Sequence, residues 1–376
     1  MKKKVLILFP EGSLPYSPTT LNLIQVLSAF FDVTVLANGY SADINLNSCL
    51  FNLDYFQALA FSPPPSILKR AAHKLRKKIW FNRREEKMTR EHQNIYRQIK
   101  NYIRLVNPDI IIAIDLLALE CCRNAGVHCV FLSLEIPSTS NFFSSLVYEK
   151  IDAVIIQNIE RYNHLFKSEM TKPKFFILPN APVFTDPSRR TRSSKKIIYN
   201  GYIWSAFGPQ FCLNLITKYP EYELHLKGAI NSEDMIEINY PHLKNSPALT
   251  LDSSYLTYEE LSDYLLEFSI GFCFYNFKHP FINANKFNYE TAPSGKLFTY
   301  LAHGLPVICS NIPAFDFLEK AGAGILLDDY SPDSLHSAIN RILGDYQKYS
   351  DNALKLGHTY SFKDHMAPVV DFFNGY

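Results

Sequence analysis

Short, almost unbroken apolar runs alternate with amphipathic stretches along most of this chain. The runs at 5–9, 33–37, 109–114, 128–132, 153–157 and 175–178 have the length and β-branched content of strands buried on both faces. Apolar residues at helical spacing fall between them at 20–30, 116–124 and 159–167. After an interval the alternation resumes, with strands predicted at 196–199, 223–227, 249–251, 270–275, 306–309 and 324–327. Helices lie between these strands, the last long one at 332–343, and the tail at 361–373 forms an amphipathic helix. Such alternation predicts an α/β fold of two doubly wound, Rossmann-like domains with parallel sheets, ligands lying in a cleft at the carboxyl ends of the strands. The interval, SRRTRSSKK, is polar, basic and aperiodic, as a linker would be. The expected boundaries are 1–186 for the first domain, 187–195 for the linker, 196–358 for the second domain and 359–376 for the tail helix.

The length agrees, since 376 residues exceed one ordinary core and suit two domains of roughly 150–200 residues each. No apolar run approaches the ~20 residues of a membrane-spanning helix, and MKKKVLILFPEG, broken at Pro10, reads as a first buried strand rather than a signal peptide. Seven cysteines at irregular spacing, with no C-x-x-C, predict reduced thiols in a cytoplasmic protein and no zinc site. A net charge of +2 predicts no nucleic-acid partner.

The stretch richest in chemistry is SGKLFTYLAHGLPVICS at 294–310. Leu297, Phe298, Leu301 and Ala302 share one face of a short helix, Gly304 sits at its left-handed cap, and an apolar strand follows at once. Pro293 starts the helix, whose first turn therefore carries Ser294, Gly295 and Lys296. Free backbone N–H groups, a hydroxyl and an ammonium at a helix N-terminus make a site for a diphosphate.

This order resembles a signature of GT-B glycosyltransferases, the block S-x-K-x-x-E-Y-x-x-x-G-x-P-V-I of the donor-sugar domain. Ser294, Lys296, Tyr300, Gly304, Pro306, Val307 and Ile308 match it, whereas Thr299 stands where the glutamate is usual. The similarity extends to KKIIYNGYI at 195–203, YELHLKG at 222–228, LTYEELSDYLLEFSIGFCFY at 256–275 and LPNAP at 178–182. It covers the second domain well and the first loosely, and within GT-B the chain resembles the GT4-like group of bacterial nucleotide-sugar-dependent transferases. The resemblance implies a hexosyltransferase that uses a UDP- or GDP-linked sugar, with no metal and no further cofactor. The donor would be held by Gly201, Tyr202, Lys227, Tyr275, Ser294, Gly295, Lys296 and Thr299. The expected acceptor is a glycan or a lipid-linked sugar, in surface polysaccharide or glycoconjugate assembly. It would sit on the first domain beside Gly12, Ser13 and Glu135, and the tail helix would cross back to that domain. Glu135, just past a strand end, could deprotonate an acceptor hydroxyl, and Glu290, in a loop nine residues before Thr299, could take a sugar hydroxyl.

Two departures matter. Relatives follow the first donor-domain strand with an arginine and a lysine, but here the loop is GYIWSAFG, which leaves the diphosphate to Lys296, the helix N-terminus and Lys227. No G-x-G-x-x-G follows the first strand and no Asp-x-Asp occurs. Arg161, Asp109, Asp115, His164 and His303 read as packing, strand-end or surface residues. The segment at 67–90 carries ten Lys/Arg against two Glu, with apolar residues at helical spacing over 67–81. It reads equally as a helix lying on an anionic membrane, which would place the protein on the inner face, and as a helix packed on the sheet with a solvated basic face. Two rival functions share the fold: a nucleotide-sugar epimerase, and a non-catalytic partner subunit suggested by Thr299 and the missing basic pair.

Overall fold

The structure, a computed structural model, describes residues 2–12, 14, 17–38, 52–56, 90–122, 125–136, 151–166, 173–183, 194–231, 239–254 and 256–376. Ser13, most of the linker and the whole basic segment at 67–81 lie outside the described residues. The chain falls into two compact units, Met1–Leu134 with Ser145–Val154, and Glu135–Ser144 with Ile155–Tyr376.

The first sheet contains β1 (Lys4–Phe9), β2 (Asp32–Asn38), β3 (Asn52–Phe56), β4 (Ile110–Ile114), β5 (His128–Leu132), β6 (Ala153–Ile156) and β7 (Lys174–Ile177). Their order is β3-β2-β1-β4-β5-β6-β7. Pairing is parallel from β3 through β5, with Val5 opposite both Val33 and Ile110. The helices α1 (Pro18–Ser28), α2 (Arg90–Val106), α3 (Asp115–Cys122) and α4 (Ile159–Leu165) alternate with these strands. β4 is buried at all of its positions, which explains why its sequence, IIIAI, carries no alternation.

The second sheet, β8 (Lys196–Asn200), β9 (Glu223–Lys227), β10 (Leu249–Asp252), β11 (Ile270–Cys273), β12 (Val307–Ser310) and β13 (Gly324–Leu327), runs in the order β10-β9-β8-β11-β12-β13 and is wholly parallel. In both sheets the winding reverses direction beside the first strand, between β1 and β4 and between β8 and β11. These reversals are where a doubly wound sheet opens for a ligand at its carboxyl edge. Helices of the second sheet are α5 (Pro209–Lys218), α6 (Tyr258–Leu265), α7 (Pro280–Ala284), α8 (Lys286–Thr291), α9 (Gly295–Ala302), α10 (Asp316–Ala321), α11 (Pro332–Gly344) and α12 (Tyr346–Thr359). Ile197, Leu224 and Phe272 from the strands meet Leu213, Ile216, Leu335 and Ile339 from α5 and α11 in one buried cluster. A closing helix, α13 (Phe362–Asn374), packs on β7: the Phe372 ring lies 5.3 Å from that of Phe176, and Lys174 Nζ lies 4.7 Å from Phe372.

The predicted strands all form, but three elements exceed the expectation. β3 is interrupted by Asn52 and Asp54, which hide a strand pattern. In α2 a narrow stripe of buried Ile95, Ile99 and Ile103 is set among charges. α12 buries Tyr346, Ser350, Ala353, Leu354 and Gly357, small and polar residues among them. The stretch at 280–291, read as a loop, is instead α7 and α8. Pro280 opens it under a His279 cap, and buried Ile282 and Asn288 anchor the two turns.

Gly271, in the middle of β11, is where Tyr300 of α9 comes closest to the sheet: a Cβ there would stand 2.4 Å from the Tyr300 ring. Gly271→Ala is expected to overpack this contact and lower stability by ~1–3 kcal/mol. Thermal denaturation checks it, and an unchanged Tm would mean that Tyr300 is free to shift.

Candidate functional site

The reversal between β8 and β11 is built from two nested turns. Gly201, after β8, has φ of +127° and donates its N–H to Lys227 O at 2.8 Å. Gly228, after β9, has φ of +138°, and a Cβ on it would fall 2.1 Å from Gly201 O. Both positions need glycine, one for its torsion and the other for torsion and contact. The end of β8 is pinned from below, because Asn200 N–H donates to the Tyr300 hydroxyl at 2.8 Å.

Against this corner stands the N-terminus of α9. Ser294 makes no capping hydrogen bond and the first turn holds no acidic residue, so the positive end of the helix is uncompensated from within. Lys296 Nζ lies 4.1 Å from the centroid of the buried Tyr199 ring and would come within 3.2 Å of a Cβ at Gly201. The Tyr199 hydroxyl fixes that ring by reaching Tyr202 O at 3.2 Å and Phe207 O at 3.1 Å. Lys296 makes no ion pair or hydrogen bond among the described residues. Its neighbours are the thiols of Cys273 and Cys212, which burial pushes up in pKa and so keeps neutral. Desolvation therefore holds the Lys296 amine below its usual pKa, and the thiols oppose this only weakly.

Lys227 is in the opposite condition. Its buried ammonium donates to Asp252 Oδ2 at 2.6 Å, Ser254 O at 2.7 Å and Ser254 Oγ at 2.8 Å, which occupies all three protons. The hydrogen bond from Lys227, helped by Ser254, holds the Asp252 carboxyl down at about 2. Lys227 thus ties the ends of β9 and β10 together and has no proton left for a diphosphate in this arrangement.

A second cluster joins the segment after β5 to α4 and α8. The Asn288 amide donates to Glu135 Oε2, while its Oδ1 accepts from Ile136 N at 3.2 Å and from Arg161 Nη1 at 2.8 Å. Arg161, fully buried, also reaches Asn288 O at 3.3 Å. Asn158 caps α4 by accepting from Arg161 N and donates its amide to Thr291 O. Tyr275, just past β11, links this cluster to the α9 corner. Burial raises its phenol pKa, the Ser294 hydroxyl lowers it, and the Glu135 charge raises it. Glu135, Tyr275 and Ser294 therefore share one electrostatic neighbourhood.

The remaining candidates have other contacts. Glu290 pairs with Lys286 one turn away at 3.4 Å and takes no part in the Glu135 network. The Thr299 hydroxyl donates back to Gly295 O at 3.1 Å. A Cβ on Gly295 would meet Asn180 only in ordinary contact, and Tyr202 is 45% exposed. In the first unit Gly12 packs under the Phe9 ring, which a Cβ would strike, and neighbouring Glu11 accepts from Leu117 N at 3.1 Å. Asp109 accepts from Lys4 N and Asp115 from Leu134 N, both structural roles. His303 bridges Ser262 Oγ and Thr299 O. Sequence reasoning missed Asn288 and the part played by Arg161. The available signal was an arginine on the face of α4 that also buries Tyr162 and Leu165.

No known family profile matches the chain, and no curated protein matches it. Solved structures do. HepE from Anabaena, in complex with UDP and glucose, is 13% identical over 100% of both chains, with a TM-score of 0.66. Sucrose-phosphate synthase from Thermosynechococcus elongatus is 14% identical over 100% of both chains, with a TM-score of 0.69. WaaG, a glycosyltransferase involved in lipopolysaccharide biosynthesis, is 12% identical over 98% of this chain and 99% of its own, with a TM-score of 0.61. Likeness at these identities establishes the fold: the chain has the GT-B fold of two Rossmann-like domains.

The lowered pKa of Lys296 has a sign that can be measured. A diphosphate beside the amine would raise its pKa again, so binding takes up a proton wherever the pH exceeds the amine's lowered value. Affinity is then full below that value and falls as the pH rises, until the amine in the complex is neutral too. Calorimetric titrations with UDP-glucose should show affinity declining on the alkaline side in the wild type and flat in Lys296→Met. Parallel profiles for the two proteins would contradict this.

Proposed function

We propose that the protein is a glycosyltransferase that moves a hexose-type sugar from a nucleotide diphosphate donor to an acceptor hydroxyl. The observation that carries this reading is Lys296, a cation without an ion pair, standing beside an uncapped helix N-terminus at the β8–β11 reversal. Charge that develops on a departing diphosphate would meet the ammonium and the first N–H groups of α9, already oriented and partly desolvated. Gly201 lets the nucleotide approach the backbone, and Ser294 and Tyr275 stand on the side where a sugar would lie. Glu135, its carboxylate steadied by the Asn288 amide, is the group proposed to accept the acceptor's proton. The positive charge this chemistry needs comes from the protein, so we expect no metal requirement. Assembly of a surface glycan, with a lipid-linked acceptor at a membrane face, remains part of the proposal. Among the described residues, no helix is long and apolar enough to cross a membrane.

The Thr299 hydroxyl, turned back to Gly295 O, favours a second reading in which the fold persists as a non-catalytic partner with a weakened hold on ribose. Incubation with a panel of UDP- and GDP-sugars, with and without membrane extract, separates the readings by following released nucleotide and the donor sugar. Release that depends on the extract and survives a chelator supports transfer, release without the extract points to donor hydrolysis, conversion of the nucleotide sugar into an isomer without release points to epimerisation, and neither release nor conversion points to the partner subunit.

Two substitutions test the assigned roles. Lys296→Ala should weaken nucleotide diphosphate binding by about 1.5–3 kcal/mol, the worth of a charge-assisted hydrogen bond, as read by calorimetry. Glu135→Gln, which can still accept from Asn288, should lower turnover by ~10²–10⁴-fold and leave donor affinity nearly intact. Wild-type turnover in that variant would reduce Glu135 to a structural role.

A further inference from the structure

The loop after β8 and the start of α7 bring together an aromatic surface that the donor site does not use. Trp204 is its hub, with ring centroids 4.7 Å from Phe281, 5.0 Å from His279, 5.7 Å from Phe207 and 6.1 Å from Tyr202. The inner side is rigid, because Phe207 in turn meets Tyr275 at 6.2 Å and Tyr289 at 6.0 Å. The outer side is open: Tyr202 is 45% and Phe281 40% exposed, large values for rings within a packed group. Two exposed rings flanking the half-buried Trp204 mark a contact surface rather than a core.

The rims of these rings are polar. Neither the Tyr202 hydroxyl nor the Trp204 indole N–H makes a hydrogen bond among the described residues. His279 Nδ1 accepts from Phe281 N at 3.2 Å, which leaves the ring proton on Nε2. Three donors thus edge an apolar surface that carries no carboxylate of its own. Apolar faces with a few convergent polar groups are the chemistry of a small-ligand site, and a pyranose matches it, with C–H faces to lie on the rings and equatorial hydroxyls to meet the donors. Tyr202 follows directly on Gly201, so the surface begins at the diphosphate corner and leads away from it through Trp204 to Phe281.

We infer that the Tyr202–Trp204–Phe281 surface is a carbohydrate subsite that holds sugar units of an acceptor glycan. This rests on the transferase reading for the word acceptor, but the affinity for sugar rings does not. The subsite would favour glycans of more than one unit, since the three rings extend beyond a single reacting sugar, and it selects by ring face and hydroxyl rim rather than by charge.

The chain contains two tryptophans, Trp80 and Trp204, so Trp80→Phe leaves Trp204 as the sole indole reporter. In that protein, titration with maltoheptaose, cellohexaose or chitohexaose should change Trp204 emission saturably at millimolar concentration for at least one sugar. Phe281→Ala in the same background should weaken that response at least tenfold while calorimetric affinity for UDP stays the same, which also reports an intact fold. No saturable response to any of the three sugars overturns the inference. A response to phosphatidylglycerol vesicles in place of sugars also overturns it and assigns the rings to a bilayer. Loss of UDP affinity in Phe281→Ala would move the rings into the donor site, again against the inference. If the wild type fails to bind nucleotide diphosphates yet binds the glycan, the transferase reading falls and the carbohydrate subsite stands.

Discussion

An ammonium held against an aromatic ring with no carboxylate to answer it organises the second unit. Contact with the Tyr199 face gives Lys296 about 0.5–2 kcal/mol, whereas removing an ion from water costs several kcal/mol even after relaxation. The balance is unfavourable for the charged amine alone, which is why its pKa falls. An anion brought to the same place reverses the sign, because attraction in a poorly solvated corner exceeds what water would allow. The free α9 N–H groups point to the same region, so two sources of positive potential are oriented before any ligand arrives.

The neighbouring contacts make sense as the frame for that charge. Tyr199 is locked through its hydroxyl, Tyr300 pins Asn200, and Gly201 and Gly228 nest because neither bears a side chain. Lys227 shows the alternative fate of a lysine at a strand end. With Asp252 and Ser254 around it, its charge is neutralised locally, and the Asp252 carboxyl stays ionised through the physiological range with its pKa near 2. Lys227 at the end of β9 and Lys296 in the first turn of α9 therefore do opposite work, one closing the sheet edge and the other leaving it electropositive.

That contrast marks the limit of what the chain reveals before folding. Continuous apolar runs at 110–114 and 307–310 declare buried parallel strands, and S-G-K before an apolar helix suggests the anion site proposed here, because both follow from local spacing. Lys296 is the first candidate in the sequence and Lys227 the second; the register of β9 against β10, which brings Asp252 to Lys227, is not legible before folding. The Glu135–Asn288–Arg161 network was half legible. Glu135 stands at a strand end, a local signal, but Asn288 is its neighbour only through a contact spanning 153 positions. The helices at 280–291 were hidden for a local reason, since Asn285 and the polar residues around it interrupt any stripe and leave two short turns fixed by Ile282 and Asn288.

The central claim is that Lys296 answers a diphosphate, and a thermodynamic cycle tests it most directly. Affinities of UDP and UMP, or of GDP and GMP if guanine is the base, would be measured for the wild type and for Lys296→Met. If the ammonium meets the β-phosphate, the wild type should prefer the diphosphate by roughly 1.5–3 kcal/mol, tenfold or more. That preference should largely disappear in the variant, with monophosphate affinity little changed. An equal preference in both proteins would show that the diphosphate binds away from Lys296 and would contradict the role assigned to it.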